Sequence, residues 1–225
     1  LGDVYKRQLP EAMADFWKED EPLPEEALLQ DLAWADAVVA GPGLSKSRTA
    51  KELLVFTVQH TEVPLVLDAD ALNLIAEDAE ILSGCRAEKI LTPHVGELAR
   101  LLHTTIEECQ REPAGSAGRA AEKYQACCVR KDSVTVTAEE GREQYYINTS
   151  GSSALATAGS GDVLAGITGA FAAKRQCEKN EKKISLAKTA ALAAYAHGKA
   201  GEAAEEKSSA SYCLLYTSPS PRDCS

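Results

Sequence analysis

Short apolar runs alternate with longer polar and mixed segments along the middle of the chain. Each run ends in turn-forming or polar residues, and the segments between runs are long enough to be helices. This alternation is typical of βαβ units around a parallel sheet. The four predicted parallel strands are 37–40, Leu65–Leu67, Lys89–Leu91 and 127–129.

The pattern changes after the fourth run. The first two strands are separated by a predicted helix over 47–60. In contrast, the apolar segments 134–138 and 144–148 are separated only by a turn at 139–141. Two strands joined by a short turn predict an antiparallel hairpin. From Gly161 onward the chain is rich in small residues and is predicted to be helical.

Every predicted parallel strand ends in residues of the kind that bind ligands. In a parallel α/β sheet, ligands bind beyond the carboxyl ends of the strands, which share one edge. One such end would mean little, but four together predict a single crevice. The four ends are Gly41-Pro42-Gly43, Asp68-Ala69-Asp70, Thr92-Pro93-His94 and Arg130-Lys131-Asp132.

A loop rich in Gly, Ser and Ala occupies 148–161 and runs into the predicted helix. Backbone N–H groups of Gly159, Ser160 and Gly161 can converge on an anion, with the positive end of the helix behind them. Asp162 has two readings that local chemistry leaves open: an N-cap, or a general base beside a phosphoryl-accepting hydroxyl. The loop matches neither a Walker motif nor a dinucleotide-binding GxGxxG.

Charge and cysteine content narrow the class of protein. The 225 residues include 24 Lys and Arg against 34 Asp and Glu, a net charge of −10. This balance argues against a nucleic-acid partner, which selects a basic surface. No apolar run of about 18 residues predicts a membrane span. The seven cysteines form no CxxC and no zinc-ligand spacing, so we predict no metal-ligand set and free thiols in a reducing cytoplasm.

The two ends of the chain differ in character from its middle. Residues 208–225 are rich in Ser and Pro without helical or strand period, and residues 1–8 carry no signal-peptide pattern. Both ends look like translated sequencing adapters. We therefore expect 1–8 to be non-native, 9–207 to be a partial domain, and 208–225 to be a non-native or disordered tail.

Six segments in order resemble one known family, the ADP/ATP-dependent NAD(P)H-hydrate dehydratases, a branch of the ribokinase-like superfamily. The resemblance covers nearly all of 9–207. It implies an α/β fold: a ribokinase-like, doubly wound, mainly parallel sheet with flanking helices, incomplete at the N-terminus. The segments are PEAM (10–13), AGPGLS (40–45), LVLDADALNLI (65–75), ILTPHVGELARLL (90–102), VRKDSVTV (129–136) and NTSGSSALATAGSGDVLAGI (148–167).

The resemblance also implies a reaction. The S epimer of hydrated NADH or NADPH is dehydrated back to NAD(P)H at the expense of ADP or ATP, giving AMP or ADP and phosphate. Phosphorylation of the ring hydroxyl precedes loss of phosphate, with Mg²⁺ as cofactor. The implied partners are NAD(P)H-hydrate and adenine nucleotide, a second copy of the chain in a homo-oligomer, and a fused or separate NAD(P)H-hydrate epimerase.

Family roles transfer only to matching positions. Asp162 is the implied catalytic base. His94 has an alternative reading, as an ordinary histidine at the end of a strand. The implied substrate contacts are Gly43, His94 and Asp162. The implied nucleotide contacts are Lys131, Asp132, Ser133, Val134, Thr135 and Gly161. The implied supporting residues are Asp70, Asn73, Asn148 and Gly159.

The sequence departs from the family pattern at several points. Asp132 stands where the family has Gly, and a carboxylate there would weaken phosphate binding unless it turns away. Ala158 replaces a Gly, and Ser152-Ser153 replaces Asn-Pro. The earlier βαβ units of the family are absent from the chain, so we expect this polypeptide to be poorly soluble or inactive. Soluble expression with full activity would refute that expectation.

Two other functions stay open on the sequence alone. One is a vitamin or sugar kinase on the same fold, which shares the GSGD loop at 159–162 but should lack the TPH segment followed by Gly96-Glu97. The other is a non-catalytic nucleotide-binding fragment, favoured only by Asp132 and the missing segments.

Overall fold

The computed structural model describes residues 13, 21–178 and 183–207. Within these ranges the chain forms six strands and eight α-helices. The strands are β1 (Val38–Ala40), β2 (Leu65–Leu67), β3 (Lys89–Leu91), β4 (Cys127–Arg130), β5 (Thr135–Glu139) and β6 (Tyr146–Asn148). The helices are α1 (Glu25–Trp34), α2 (Arg48–His60), α3 (Ala69–Glu77), α4 (Val95–Leu102), α5 (Ile106–Arg111), α6 (Pro113–Tyr124), α7 (Ser160–Cys177) and α8 (Leu186–Lys207).

The six strands form one sheet in chain order, β1 to β6. Strands β1 to β4 pair in parallel, whereas β5 and β6 form an antiparallel hairpin on β4. The carboxyl ends of the four parallel strands therefore lie along one edge. This edge is where the sequence places its candidate site residues.

Side chains alternate along each strand, so an apolar strand carries apolar side chains on both faces of the sheet. Helices cover both of these faces. Leu65 and Leu67 point to one face, where they join a core formed with α2 and α3. Val66 points to the other face, where it packs with Ile90 and with small residues of α7 and α8. The result is a mainly parallel α/β sheet with flanking helices, which confirms the predicted fold class.

The hairpin differs in detail from its prediction. Strand β4 continues through Arg130, which pairs with Val136, so β5 lies one residue later than predicted. Strand β6 begins only at Tyr146, because Tyr145 leaves the strand and its hydroxyl packs over Gly118 of α6. Of the predicted turn at 139–141, Glu139 thus ends β5, and 140–141 belong to a longer loop over 140–145.

Five cysteines of the described ranges are free thiols: Cys85, Cys109, Cys127, Cys128 and Cys177. No helix in the part of the chain that the structure describes is long and apolar enough to cross a membrane. The predictions for residues 1–8 and 208–225 lie outside the described residues.

Candidate functional site

A cavity of about 950 Å³ opens at the carboxyl edge of the sheet. Its walls are the ends of β3 and β4, the loop before α7, the start of α7 and the middle of α8. The structure brings seven of the predicted site residues together there. They are His94, Lys131, Asp132, Ser133, Thr135, Asn148 and Gly161.

Lys131 is the central cation of this cavity. Its backbone N–H donates to the Pro93 carbonyl oxygen at 2.8 Å, which ties the end of β4 to the end of β3. Its ammonium Nζ lies 2.7 Å from Oδ1 of Asp68, whose side chain is 2% exposed. A methyl group on Gly161 would lie 3.4 Å from the same Nζ. Lys131 and Asp68 therefore form an ion pair directly against the start of α7.

The start of α7 has the geometry of an anion-binding helix end. Gly159 is the N-cap, with a left-handed φ of +86° that favours glycine. The first N–H groups of a helix lack partners within it and lie at its positive end. In this position Ser160 and Gly161 face the cavity.

Asp162 lies in the first turn of α7 and is exposed to solvent. Since Gly159 occupies the capping position, Asp162 is not the N-cap. Partial burial and the nearby Asp68 raise the pKa of its carboxyl, whereas Lys131 lowers it. The structure places Asp162 at the margin of the cavity rather than among the residues that line it. Its role as a base stays a prediction.

His94 caps α4 and is held in one tautomer. Its Nδ1 accepts hydrogen bonds from the backbone N–H groups of Gly96 and Glu97, at 3.0 and 3.3 Å. Because Nδ1 is an acceptor, the proton of the neutral ring sits on Nε2. Burial and the charge of Lys131 lower the pKa of His94, which favours the neutral ring. His94 can therefore offer an Nε2–H donor to a ligand.

The carboxylate of Asp132 is neutralised within the protein. Its Oδ2 accepts from Nη2 of Arg130 at 3.0 Å, and its Oδ1 accepts from the Ser133 backbone N–H at 2.8 Å. The Arg130 side chain is 3% exposed. Asp132 lines the cavity, but this buried partner offsets the repulsion that the sequence predicts between its carboxylate and phosphate.

The other two departures from the family pattern fit the fold locally. Ala158 is not among the residues with a positive φ, so its side chain causes no backbone strain there. Ser152 donates to the Gly201 carbonyl oxygen at 3.3 Å, and Ser153 donates to Oε1 of Glu205 at 3.2 Å. These serines attach the loop before α7 to helix α8.

Helix α8 supplies a wall of the site that the sequence predictions missed. The side-chain amide of Asn148 donates to the Ala194 carbonyl oxygen at 3.3 Å. Nε2 of His197 lies 3.2 Å from Oγ of Ser160, the first residue of α7. The only local signal for His197 is the glycine that follows it, because Gly198 lets the loop at Ser150 approach the helix closely.

Six predicted site residues lie outside the lining of the cavity, Asp162 and Gly159 at the start of α7 and four elsewhere. Asp70 accepts from the Ser45 backbone N–H at 2.9 Å and so supports the loop after β1. Asn73 accepts from Nε of Arg100 at 3.0 Å and lies in a separate groove between α3 and α4. The remaining two are Gly43, in the loop after β1, and Val134, which is half-exposed before β5.

No group of three or more His, Cys, Asp or Glu side chains in the described ranges could hold a metal ion. Mg²⁺ commonly binds through one or two carboxylates together with substrate phosphates. Asp68 and Asp162, which lie near one another at the start of α7, are carboxylates of this kind.

The fold and the cavity place this chain in the ribokinase-like class of α/β proteins. A solved ribokinase-like superfamily protein from Enterococcus faecalis has a TM-score of 0.74 and 27% identity, over 93% of this chain and 67% of that one. The ADP/ATP-dependent NAD(P)H-hydrate dehydratase of Bacillus subtilis, co-crystallized with ATP/Mg²⁺, has a TM-score of 0.71 and 27% identity. That match covers 95% of this chain and 70% of the other.

The family itself follows from the sequence comparisons. The model of the NAD(P)H-hydrate dehydratase family matches residues 2–218, so the chain belongs to that family. The bifunctional NAD(P)H-hydrate repair enzyme Nnr of Moorella thermoacetica is 39% identical over 203 residues, 90% of this chain and 36% of that protein. The ADP-dependent (S)-NAD(P)H-hydrate dehydratase of Neisseria meningitidis is 38% identical over 184 residues, 80% of this chain and 59% of that protein. The predicted family is thereby confirmed, and the chain spans about a third of the bifunctional relative.

Proposed function

We propose that this chain carries the site for dehydration of the S epimer of hydrated NADH or NADPH, driven by ADP or ATP. The observation that carries the proposal is the convergence of Lys131, the start of α7 and Asp162 at one edge of the sheet. A cation, a helix N-terminus and a carboxylate are the groups that phosphoryl transfer to a hydroxyl requires.

The nucleotide phosphates would bind beside Lys131, at the first turn of α7. Gly161 presents no side chain at this point, so the backbone can approach a phosphate closely. Lys131 supplies positive charge beside Gly161, and Asp68 holds its ammonium in place. Phosphoryl transfer depends mainly on such positioning and charge neutralisation.

Asp162 would remove the proton from the ring hydroxyl of the hydrated substrate. The terminal phosphoryl group of the nucleotide then passes to that oxygen, leaving AMP or ADP. Cleavage of the carbon–oxygen bond, with loss of a ring proton, releases phosphate and restores NAD(P)H. The raised pKa of Asp162 makes its carboxylate a stronger base than an ordinary aspartate. The Nε2–H of His94 would donate a hydrogen bond to the substrate.

Mg²⁺, when bound with the nucleotide, would neutralise phosphate charge during the transfer. Five free cysteines in the described ranges favour a reducing compartment such as the cytoplasm. The bifunctional relatives are longer than this chain, so they have room for a second domain. That domain would be the epimerase that the resemblance implies as a fused partner. We also propose that copies of this chain assemble into a homo-oligomer.

One assay tests the function. The protein is mixed with hydrated NADH and either ADP or ATP, and the near-ultraviolet absorbance of NADH is followed. Recovery of the absorbance only with nucleotide is expected. Phosphorylation of a vitamin or sugar alcohol without NADH recovery would instead identify a kinase, and nucleotide binding without turnover would identify a binding fragment.

The variant Asp162→Asn should lose activity and keep its fold. Asp31→Asn on α1 is the matched control, because this carboxylate is exposed and remote from the cavity. Full activity of Asp162→Asn would disprove the assignment of the base.

A further inference from the structure

We infer that His197 is a positioning residue that fixes the phosphate-binding start of α7 through Ser160. This inference rests on the proposed function, because it deepens the account of the same nucleotide site. The contact joins Nε2 of His197 to Oγ of Ser160 at 3.2 Å, and both residues line the cavity. Ser160 is the first residue of α7, directly before Gly161.

The backbone that carries His197 is tightly held. Oγ of Ser150 donates to the Tyr195 carbonyl oxygen at 3.3 Å, and Asn148 donates to the Ala194 carbonyl oxygen at 3.3 Å. At Gly198 a methyl group would lie 2.7 Å from the carbonyl carbon of Ser150, so only glycine allows this approach. Helix α8 is therefore fixed against the loop and delivers the imidazole to one place.

The Ser160 side chain needs this partner. The N-cap of α7 is Gly159, which has no side chain to fix the helix start, and no side-chain cap bond is present there. The imidazole of His197 supplies the missing side-chain anchor from another helix. Burial and Lys131 lower the pKa of His197, although a hydrogen bond with the backbone of Ser160 opposes them. A neutral ring serves this role as an acceptor or a donor.

Loss of the anchor has a defined consequence. Ser160 would gain freedom, and the N–H groups that follow it would no longer converge on one phosphate position. Because the positive helix end acts within its first turn, a displaced turn stabilises the transferring phosphoryl group less well. Both nucleotide affinity and turnover should fall, while the KM for hydrated NADH should stay unchanged.

Two variants of one size separate this role from simple packing. His197→Met and His197→Gln are both unbranched, but only Gln keeps a hydrogen-bonding group near the position of Nε2. We expect His197→Met to lower the affinity for ADP and kcat by about three- to tenfold, the effect of one lost hydrogen bond. His197→Gln should stay within about twofold of the wild type. Tyr195→Met is the matched control on the same helix, because this side chain is 51% exposed.

The measurements are ADP affinity by titration calorimetry, kcat in the NADH assay, and Tm. A double variant Ser160→Ala, His197→Met should lose no more affinity than His197→Met alone, because the two side chains act as one unit. Equal ADP affinity in His197→Met and the wild type, or equal losses for Met and Gln, would overturn the inference. If the wild type binds ADP but restores no NADH, the proposed function fails, and the ADP affinities still decide the role of His197.

Discussion

The turn after β1 offers a sharp test of how the site is built, because two glycines in it differ in surroundings. Gly41 has a φ of +126°, and a methyl group there would lie 2.7 Å from the carbonyl carbon of Asp68 and nearer still to its oxygen. Gly43 has a φ of +70°, and a methyl group there would meet no atom within 4 Å. Gly41→Ala thus adds both backbone strain and a collision, whereas Gly43→Ala adds strain alone.

The two effects have different sizes. A left-handed conformation costs a non-glycine residue about 1–2 kcal/mol, which is the full expected cost of Gly43→Ala. For Gly41→Ala the rarer φ and the collision with backbone together cost roughly 3–5 kcal/mol. Since each kcal/mol lowers the Tm of a chain of this size by about 2–4 °C, the expected loss is about 2–8 °C for Gly43→Ala and about 6–20 °C for Gly41→Ala.

Thermal denaturation followed by circular dichroism measures both losses under one set of conditions. ADP affinity should also fall in Gly41→Ala, because the backbone it displaces carries Asp68, the partner of Lys131. Equal Tm losses for the two variants would refute the close approach of Gly41 to β2. An unchanged ADP affinity in a destabilised Gly41→Ala would refute the link from this turn to Lys131.

Three further predictions concern the site directly. Gly161→Ala should change the Tm by no more than about 2 °C, because the residue is helical. It should weaken ADP binding at least about tenfold, because it places a methyl group at the phosphate position. Thermal denaturation measures the first effect and calorimetry the second. Asp68 raises and Lys131 lowers the pKa of Asp162. The acid limb of the kcat/KM profile should therefore move to lower pH in Asp68→Asn and to higher pH in Lys131→Met. Shifts of both variants in the same direction would contradict this prediction. The pKa of His94 is lower in the folded protein than its ordinary value of 6.5, so the unfolded chain takes up the proton first as the pH falls. The stability that is present above pH 6.5 is therefore lost as the pH falls towards the pKa of the folded state. Urea denaturation across this range should show a smaller loss of stability in His94→Asn, and an equal loss would contradict the lowered pKa of His94.

Strands β2, β3 and β4 were predictable because they are buried on both faces. Such strands form continuous apolar runs, and turn residues mark their ends. Strands β2 and β3 begin and end at the predicted residues. Strand β5 lies one residue later than predicted because its register is set by pairing with β4, which sequence periodicity does not contain.

The charges of the site were less predictable than its backbone. Lys131 and Asp68 are 63 residues apart, so their ion pair follows only from the fold, which brings the ends of β2 and β4 to one edge of the sheet. The same holds for His197 and Ser160, which are 37 residues apart on different helices. The sequence predicts that Asp132 weakens phosphate binding unless it turns away, because nothing in the sequence shows that a buried arginine neutralises it.

The most direct test of the proposed function is the balance between two products. Hydrated NADH and ADP are incubated with the protein, and NADH and inorganic phosphate are quantified in the same sample. The account predicts equal amounts of both, with neither product formed by Asp162→Asn. Phosphate without NADH, or NADH without nucleotide consumption, would contradict it.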